Sequence, residues 1–279
     1  MTHARQQHIQ VVAHRGASQD APEHTLAAYK KAIEDGADAL ECDVRLTADG
    51  HLVCVHDRRV NRTSNGRGAV SALELADLAT LDFGSWKDLK DLKALKGRRE
   101  LEESPDWAGN AADTSVLTLE RLLELVVDAG RRVELAIETK HPTRWAGQVE
   151  ERLLLLLKRF GLDAPSPDEP SRVRVMSFSA RSLLRVQEAS PTLPTVYLMQ
   201  FVSPRHREGR LPQGVRIAGP GIRIVRSHPA YIEKLTRAGH QVHVWTVNEA
   251  EDIDLCVRLG VDAIITNRPA AVLKYLGRG

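Results

Sequence analysis

The chain has 279 residues, of which 42% are hydrophobic and 4% aromatic, and its 39 basic and 37 acidic side chains leave a net charge of +2. Barrels of the α/β class run to about 250 residues as one unit, and a core of Leu, Val, Ile and Ala favours packed strands and helices over a β-sandwich. The balanced charge offers no concentrated basic face for nucleic acid, and Leu153 to Leu157, the longest apolar run, is far too short to span a bilayer.

The opening residues, MTHARQQHIQ, carry no apolar leader, so a cytoplasmic protein without stable membrane insertion is expected. Ile9 to Ala13 reads as a buried strand. A loop with Gly16 and Pro22 follows, then helical spacing over Glu23 to Asp35 that stops before Gly36. Asp38 to Leu46 predicts a second strand, and Leu52 to Val55 a short β element after the Asp49-Gly50 turn. From about 57 to 118 the rhythm breaks. A leucine-spaced helix near Ser71 to Leu81 and a charged segment from Lys87 to Glu103 predict an insertion after the second strand.

The strand-helix unit then returns. Strands are expected at Val133 to Ile137, Val173 to Phe178, Thr195 to Met199, Ile217 to Ile224, Val242 to Val247 and Val261 to Thr266. Helices are expected at Trp145 to Phe160, Ala180 to Glu188, Pro229 to Arg237, Glu249 to Leu259 and Pro269 to Leu276. With Ile9 and Asp38, the strand starts number eight. The expected fold is α/β, a TIM-type (β/α)8 barrel in one domain over residues 1–279, with the insertion at about 57–118. An open doubly wound sheet is less favoured, because no Gly-x-Gly-x-x-Gly follows the first strand. Cys42, Cys54 and Cys256 match no zinc spacing and read as small buried hydrophobes in a reducing compartment.

The chemistry centres on Glu41 and Asp43. Residues two apart in a strand share a face, so both carboxylates point one way and Leu40, Cys42 and Val44 the other. Inside a barrel a bare carboxylate costs several kcal/mol and must be paired, protonated or metal-bound. Glu138 ends the next barrel strand, and Lys140 shares its face. Two readings stand open: a buried salt-bridge net with Arg15 and Lys140, or an oxygen-rich site for Mg²⁺ or Ca²⁺. His14 and His56 fall at strand ends beside these carboxylates, where each could serve as acid or base. Arg15 offers a planar fork matched to a phosphate.

The chain resembles the glycerophosphodiester phosphodiesterase family over nearly its whole length. The resemblance rests on AHRGASQDAPEHTLAAYKKAIEDGADALECDVRLTADGHLVCVHD, then RTSNGRGAV, IETK, VHVWTVN and GVDAIITNRP in order. It implies an eight-fold barrel that converts glycerophosphodiesters to sn-glycerol 3-phosphate and an alcohol. Glu41, Asp43 and Glu138 would hold one divalent cation, Mg²⁺ or Ca²⁺. His14 and His56 would be the acid-base pair, and Arg15 and Lys140 would bind phosphate. Trp245 would line the pocket near the glycerol or serve as a core aromatic, with Phe178 as a further wall. A lysophospholipase D-like enzyme acting on lipids and a non-catalytic phosphate-binding barrel are the alternatives. His24 stands where many members have Asn, and Asn267 where Asp is frequent, a position read as structural. Glu23 is expected to play a supporting role.

Overall fold

The parallel strands are nearly continuous apolar runs because helices cover one side of each and the barrel interior the other. The computed structural model describes residues 8–87, 112–144, 147–166 and 168–278. Its strands are β1 (Gln10–His14), β2 (Ala39–Leu46), β3 (Leu52–Cys54), β4 (Glu134–Thr139), β5 (Val173–Ser177), β6 (Thr195–Met199), β7 (Ile217–Pro220), β8 (Gln241–Val244) and β9 (Ala263–Thr266). Eight of them pair in parallel in the order β1-β2-β4-β5-β6-β7-β8-β9, and β9 returns to β1 to close the barrel. The ninth, β3, runs antiparallel to the upper end of β2, with Val44 opposite Cys54. The expected TIM barrel is therefore the fold.

Nine helices are described: α1 (Leu26–Glu34), α2 (Leu75–Ala79), α3 (Leu119–Val127), α4 (Gln148–Arg159), α5 (Ala180–Ala189), α6 (Ile222–Ser227), α7 (Pro229–Arg237), α8 (Ala250–Arg258) and α9 (Pro269–Tyr275). Among the described residues none is long and apolar enough to cross a membrane. α1 starts at Leu26 rather than Glu23, because the Thr25 hydroxyl caps it by accepting from the Ala28 amide. The helix expected over Ser71 to Leu81 is broken by extended backbone at Leu73 into a 3₁₀ turn, Val70–Ala72, and the short α2. α3 was not anticipated, although Leu119, Leu122, Leu123 and Val126 form its buried stripe. The expected helix start at Trp145 and the charged segment from 88 to 103 lie outside the described residues.

The barrel interior is layered. At its base Arg174 of β5 and Gln10 of β1 both donate to Glu134 of β4, and His243 of β8 is buried nearby. Above them sits an apolar layer that includes Val12, Ala136, Val196 and Ile265. The residues after β3 hold their own small core of Val60, Val70, Leu78 and Phe83 against Val53 and Val55.

The loop from β1 to α1 bends sharply at Gly16, whose φ is +82°. A Cβ there would lie 2.6 to 2.7 Å from Ala28 atoms. Gly16→Ala is expected to destabilise the protein by about 1–3 kcal/mol, through overpacking on top of an incompatible backbone. A lower urea midpoint at an unchanged slope would register it; an unchanged midpoint would mean the loop is not held this tightly.

Candidate active site

The C-terminal ends of β1, β2 and β4 deliver the site. Glu41 and Asp43 face the barrel interior from β2, and Asp43 lies in register with Glu138 of β4. All three are buried, and one oxygen from each lies within 4.8 Å of the others. Three carboxylates this close repel one another, so the structure surrounds them with positive charge. Lys140 Nζ is 2.8 Å from Glu138 and 3.1 Å from Asp43. The Arg15 amide donates to Glu41 Oε2 at 3.0 Å. Arg15 Nε lies 3.1 Å from Asp43 Oδ2 but is not aligned for a hydrogen bond. The ion pairs of the salt-bridge reading are thus present, and the carboxylates of the metal reading converge in the same place.

The counter-charge is incomplete. Three carboxylates face two permanent cations, and protonation equilibria record the deficit. Burial, followed by the charge of Asp43, pushes Glu138 up to about 8 and Glu41 well above the usual carboxylate range. Burial would raise Asp43 too, but a hydrogen bond from His24 and the charges of Lys140 and Arg15 hold it well below that range. The donor set, three carboxylates with too few cations, fits a hard divalent ion.

His14 Nδ1 donates to Asn267 Oδ1 at 2.6 Å, which leaves Nε2 unprotonated, 4.0 Å from Glu41. Burial and then Arg15 lower this imidazole to about 3, so it is neutral at physiological pH. His56 Nδ1 donates to Asp57 at 2.7 Å. Arg62 bonds Asp57 and both oxygens of Glu23, and Glu23 accepts from Arg15 in turn. A continuous charged chain therefore runs from His56 through Asp57, Arg62 and Glu23 to Arg15.

Several of these partners were not assigned from the sequence. Asn267, expected to be structural, orients His14. Glu23, expected to play a supporting role, joins Arg15 to Arg62. His24 reaches Asp43 Oδ2 at 2.9 Å, filling the Asn position with a longer donor. Arg62 lies in the RTSNGRGAV run, but nothing local disclosed its partners. Trp245 lines the cavity and is also anchored within the barrel wall. Its indole N–H donates inward to Gly219 O at 2.7 Å, and its ring meets Phe178 edge-on at 5.4 Å. The cavity at the barrel mouth is lined by His14, Arg15, Glu41, His56, Glu138 and Lys140 on one side and Met176, Phe178, Leu198 and Trp245 on the other. The eight expected site residues thus converge around this opening, with Asp43 just beneath the lining.

A family model described as the glycerophosphoryl diester phosphodiesterase family matches residues 14–271. The chain is 45% identical over 274 residues to the probable glycerophosphodiester phosphodiesterase 1 of Mycobacterium tuberculosis, covering 98% of this chain and 94% of that protein. It is 33% identical over 273 residues to the glycerophosphodiester phosphodiesterase of Bacillus subtilis, covering 94% and 84% respectively. A phosphodiesterase of Oleispira antarctica, solved in complex with its product sn-glycerol-3-phosphate, shares the fold with a TM-score of 0.77 and 24% identity over 96% of each chain.

The electrostatic deficit makes a pH-dependent expectation. Glu138 holds its proton more tightly folded than unfolded, so its contribution is full below its ordinary value of 4.5 and is lost as pH rises through about 8. Without a divalent cation, the melting temperature is expected to fall between about pH 6 and about pH 8, and Glu138→Gln should flatten that slope. A cation should stabilise most at the upper end, where the carboxylates are free to bind it. A cation-free melting temperature that rises across this window would contradict the assignment.

Proposed function

We propose that this chain, which belongs to the glycerophosphoryl diester phosphodiesterase family, hydrolyses glycerophosphodiesters to sn-glycerol 3-phosphate and an alcohol with the help of one divalent cation. The observation that carries the reading is the convergence of three buried carboxylates, two permanent cations and two histidines at one cavity. Glu41, Asp43 and Glu138 would hold Mg²⁺ or Ca²⁺. When bound, that ion supplies electrostatic stabilisation for charge that builds on the phosphoryl oxygens. In formal charge, a divalent ion and a monoanionic diester together bring the carboxylates, Arg15 and Lys140 to neutrality. Arg15 and Lys140 orient the diester.

The partners of the two histidines divide the proton work. His14 has its lone pair on Nε2 and removes a proton from the attacking oxygen, either water, which gives sn-glycerol 3-phosphate directly, or the glycerol 2-hydroxyl, which gives a cyclic phosphodiester that water then opens. Burial holds the His56 imidazole below its ordinary value, and the hydrogen bond to Asp57 offsets part of that; as the acid, His56 gives its proton to the departing alkoxide. Trp245 and Phe178 form the wall against which the glycerol carbons pack. The three cysteines are buried and unpaired, which supports a reducing compartment such as the cytoplasm.

One observation favours a lipid substrate as the second reading. Phe178 is 37% exposed and Phe201, just beyond β6, is 74% exposed, so apolar rings stand at the mouth. Choline release from a lysolipid, compared with release from glycerophosphocholine, separates a lysophospholipase D-like activity from the first reading.

EDTA is expected to abolish diester hydrolysis, and Mg²⁺ or Ca²⁺ to restore it. His14→Ala should cut turnover by about 10²–10⁴-fold on every diester. His56→Ala should do the same for choline or ethanolamine diesters, yet lose far less when the leaving group is p-nitrophenolate, which needs no proton. Near-normal turnover by His14→Ala, or equal losses of His56→Ala on both kinds of leaving group, would sink these roles.

A further inference from the structure

Arg15 and His56 line the same cavity from separate pieces of chain. Arg15 belongs to the loop after β1, and His56 lies two residues beyond the end of β3. The sheet alone therefore does not fix their separation. Side chains do. Asp57 Oδ1 accepts from His56 Nδ1 at 2.7 Å, and Glu23 Oε1 accepts from Arg15 Nη1 at 3.0 Å. One atom donates to both of these oxygens: Arg62 Nη2 lies 2.7 Å from Glu23 Oε1 and 3.3 Å from Asp57 Oδ1. Its neighbours complete a fork on each side, Nη1 on Glu23 Oε2 and Nε on Asp57 Oδ2, both at 2.8 Å.

We propose that Arg62 is a positioning residue: by gripping Asp57 and Glu23 at once, it fixes the proton donor His56 at a set distance from the phosphate ligand Arg15. The proposal rests on the phosphodiesterase reading above and deepens it. Three features support it. Exposed ion pairs add little to stability, but two bidentate pairs on one planar group impose geometry, which a lysine in its place would not do. Each carboxylate shares the oxygen it gives to Nη2 with a residue of the cavity, so a shift of Arg62 moves both arms. Arg62 is itself held: it ends the 3₁₀ turn Val60–Arg62, whose Val60 is buried in the small core after β3, and its guanidinium stands 6.0 Å over the ring of Trp86.

The requirement for such a brace is chemical. Arg15 and His56 act on one phosphoryl group, the first on its oxygens and the second on the oxygen that leaves. A misplacement of about 1 Å between groups of this kind costs about 10²-fold in rate.

The test is Arg62→Ala in the full chain, supplied with its cation and assayed on glycerophosphocholine and glycerophospho-p-nitrophenol. The first leaving group needs the proton of His56 and the second does not, whereas both substrates need Arg15. The variant is expected to lose about 10²-fold in kcat/KM on the choline diester and less than about tenfold on the p-nitrophenyl diester. The ratio of the two losses does not depend on how much of the variant is folded, so simple destabilisation does not imitate it. Of the single arms, Asp57→Asn should share this bias, and Glu23→Gln should lower both rates alike. The Arg62 side chain is 36% exposed, so guanidinium ion in solution has access to the place the variant vacates. It is expected to restore the choline rate severalfold, where sodium chloride at equal ionic strength does not. Equal losses on the two substrates would make Arg62 merely structural and overturn the proposal, as would equal recovery with sodium chloride. A bias in His56→Ala that Arg62→Ala lacks overturns the proposal alone; no bias in His56→Ala removes the acid assignment and the proposal with it. Failure of the wild type to cleave either diester with either cation would overturn the phosphodiesterase reading itself.

Discussion

Three carboxylates buried within reach of one another at the top of a barrel are the constraint around which the rest of this molecule is arranged. Their mutual repulsion is too large to leave uncompensated in a low-dielectric interior. Each neighbouring positive group is placed to relieve part of it. Lys140 spans two of the carboxylates, Arg15 serves the third through its backbone and a second through its side chain, and His24 fixes the orientation of Asp43. The compensation stops one charge short. That shortfall is what a divalent cation would fill.

The same constraint propagates outward. Arg15 is itself anchored by Glu23, Glu23 by Arg62, and Arg62 by Asp57, which steadies His56. Burial alone would raise Glu23, yet the hydrogen bonds of Arg62 and the charge of Arg15 keep it well below the ordinary carboxylate range. The two histidines therefore differ in kind. One is buried against a neutral amide at the far end of the chain, and the other rests on a carboxylate held by the segment after β3. Both backbone turns that bracket the Arg15 loop, at Arg15 and His24, adopt left-handed φ values near +60° without being glycine. Such strain persists only where surrounding contacts over-determine it, and here those contacts are the site itself.

Strand periodicity made the inner half of this arrangement legible. Alternation along β2 put Glu41 and Asp43 on one face, and the same rule joined Lys140 to Glu138. Eight apolar runs separated by helical spacing sufficed for the barrel. The outer half was not legible, because its contacts join residues far apart in the chain. Nothing near Asn267 announces a partner 253 positions away in His14, and Arg62 carries no local sign that it grips Glu23 across 39 residues. Helix boundaries failed for a local reason. Thr25 and Leu73 override the hydrophobic spacing, one by capping and one by extended backbone. The helix α3 was hidden by its position directly after an irregular stretch.

The base of the barrel has its own consequence. Glu134, Arg174 and Gln10 knit three strands together across its lower end, beneath a layer of close-packed aliphatic side chains. The tunnel suggested by a drawing of eight strands is thus a cul-de-sac. Whatever enters must depart by the same doorway, and both fragments of a cleaved molecule share that exit. Traffic through the molecule is accordingly governed at one rim, by the strand ends and loops that frame the candidate site.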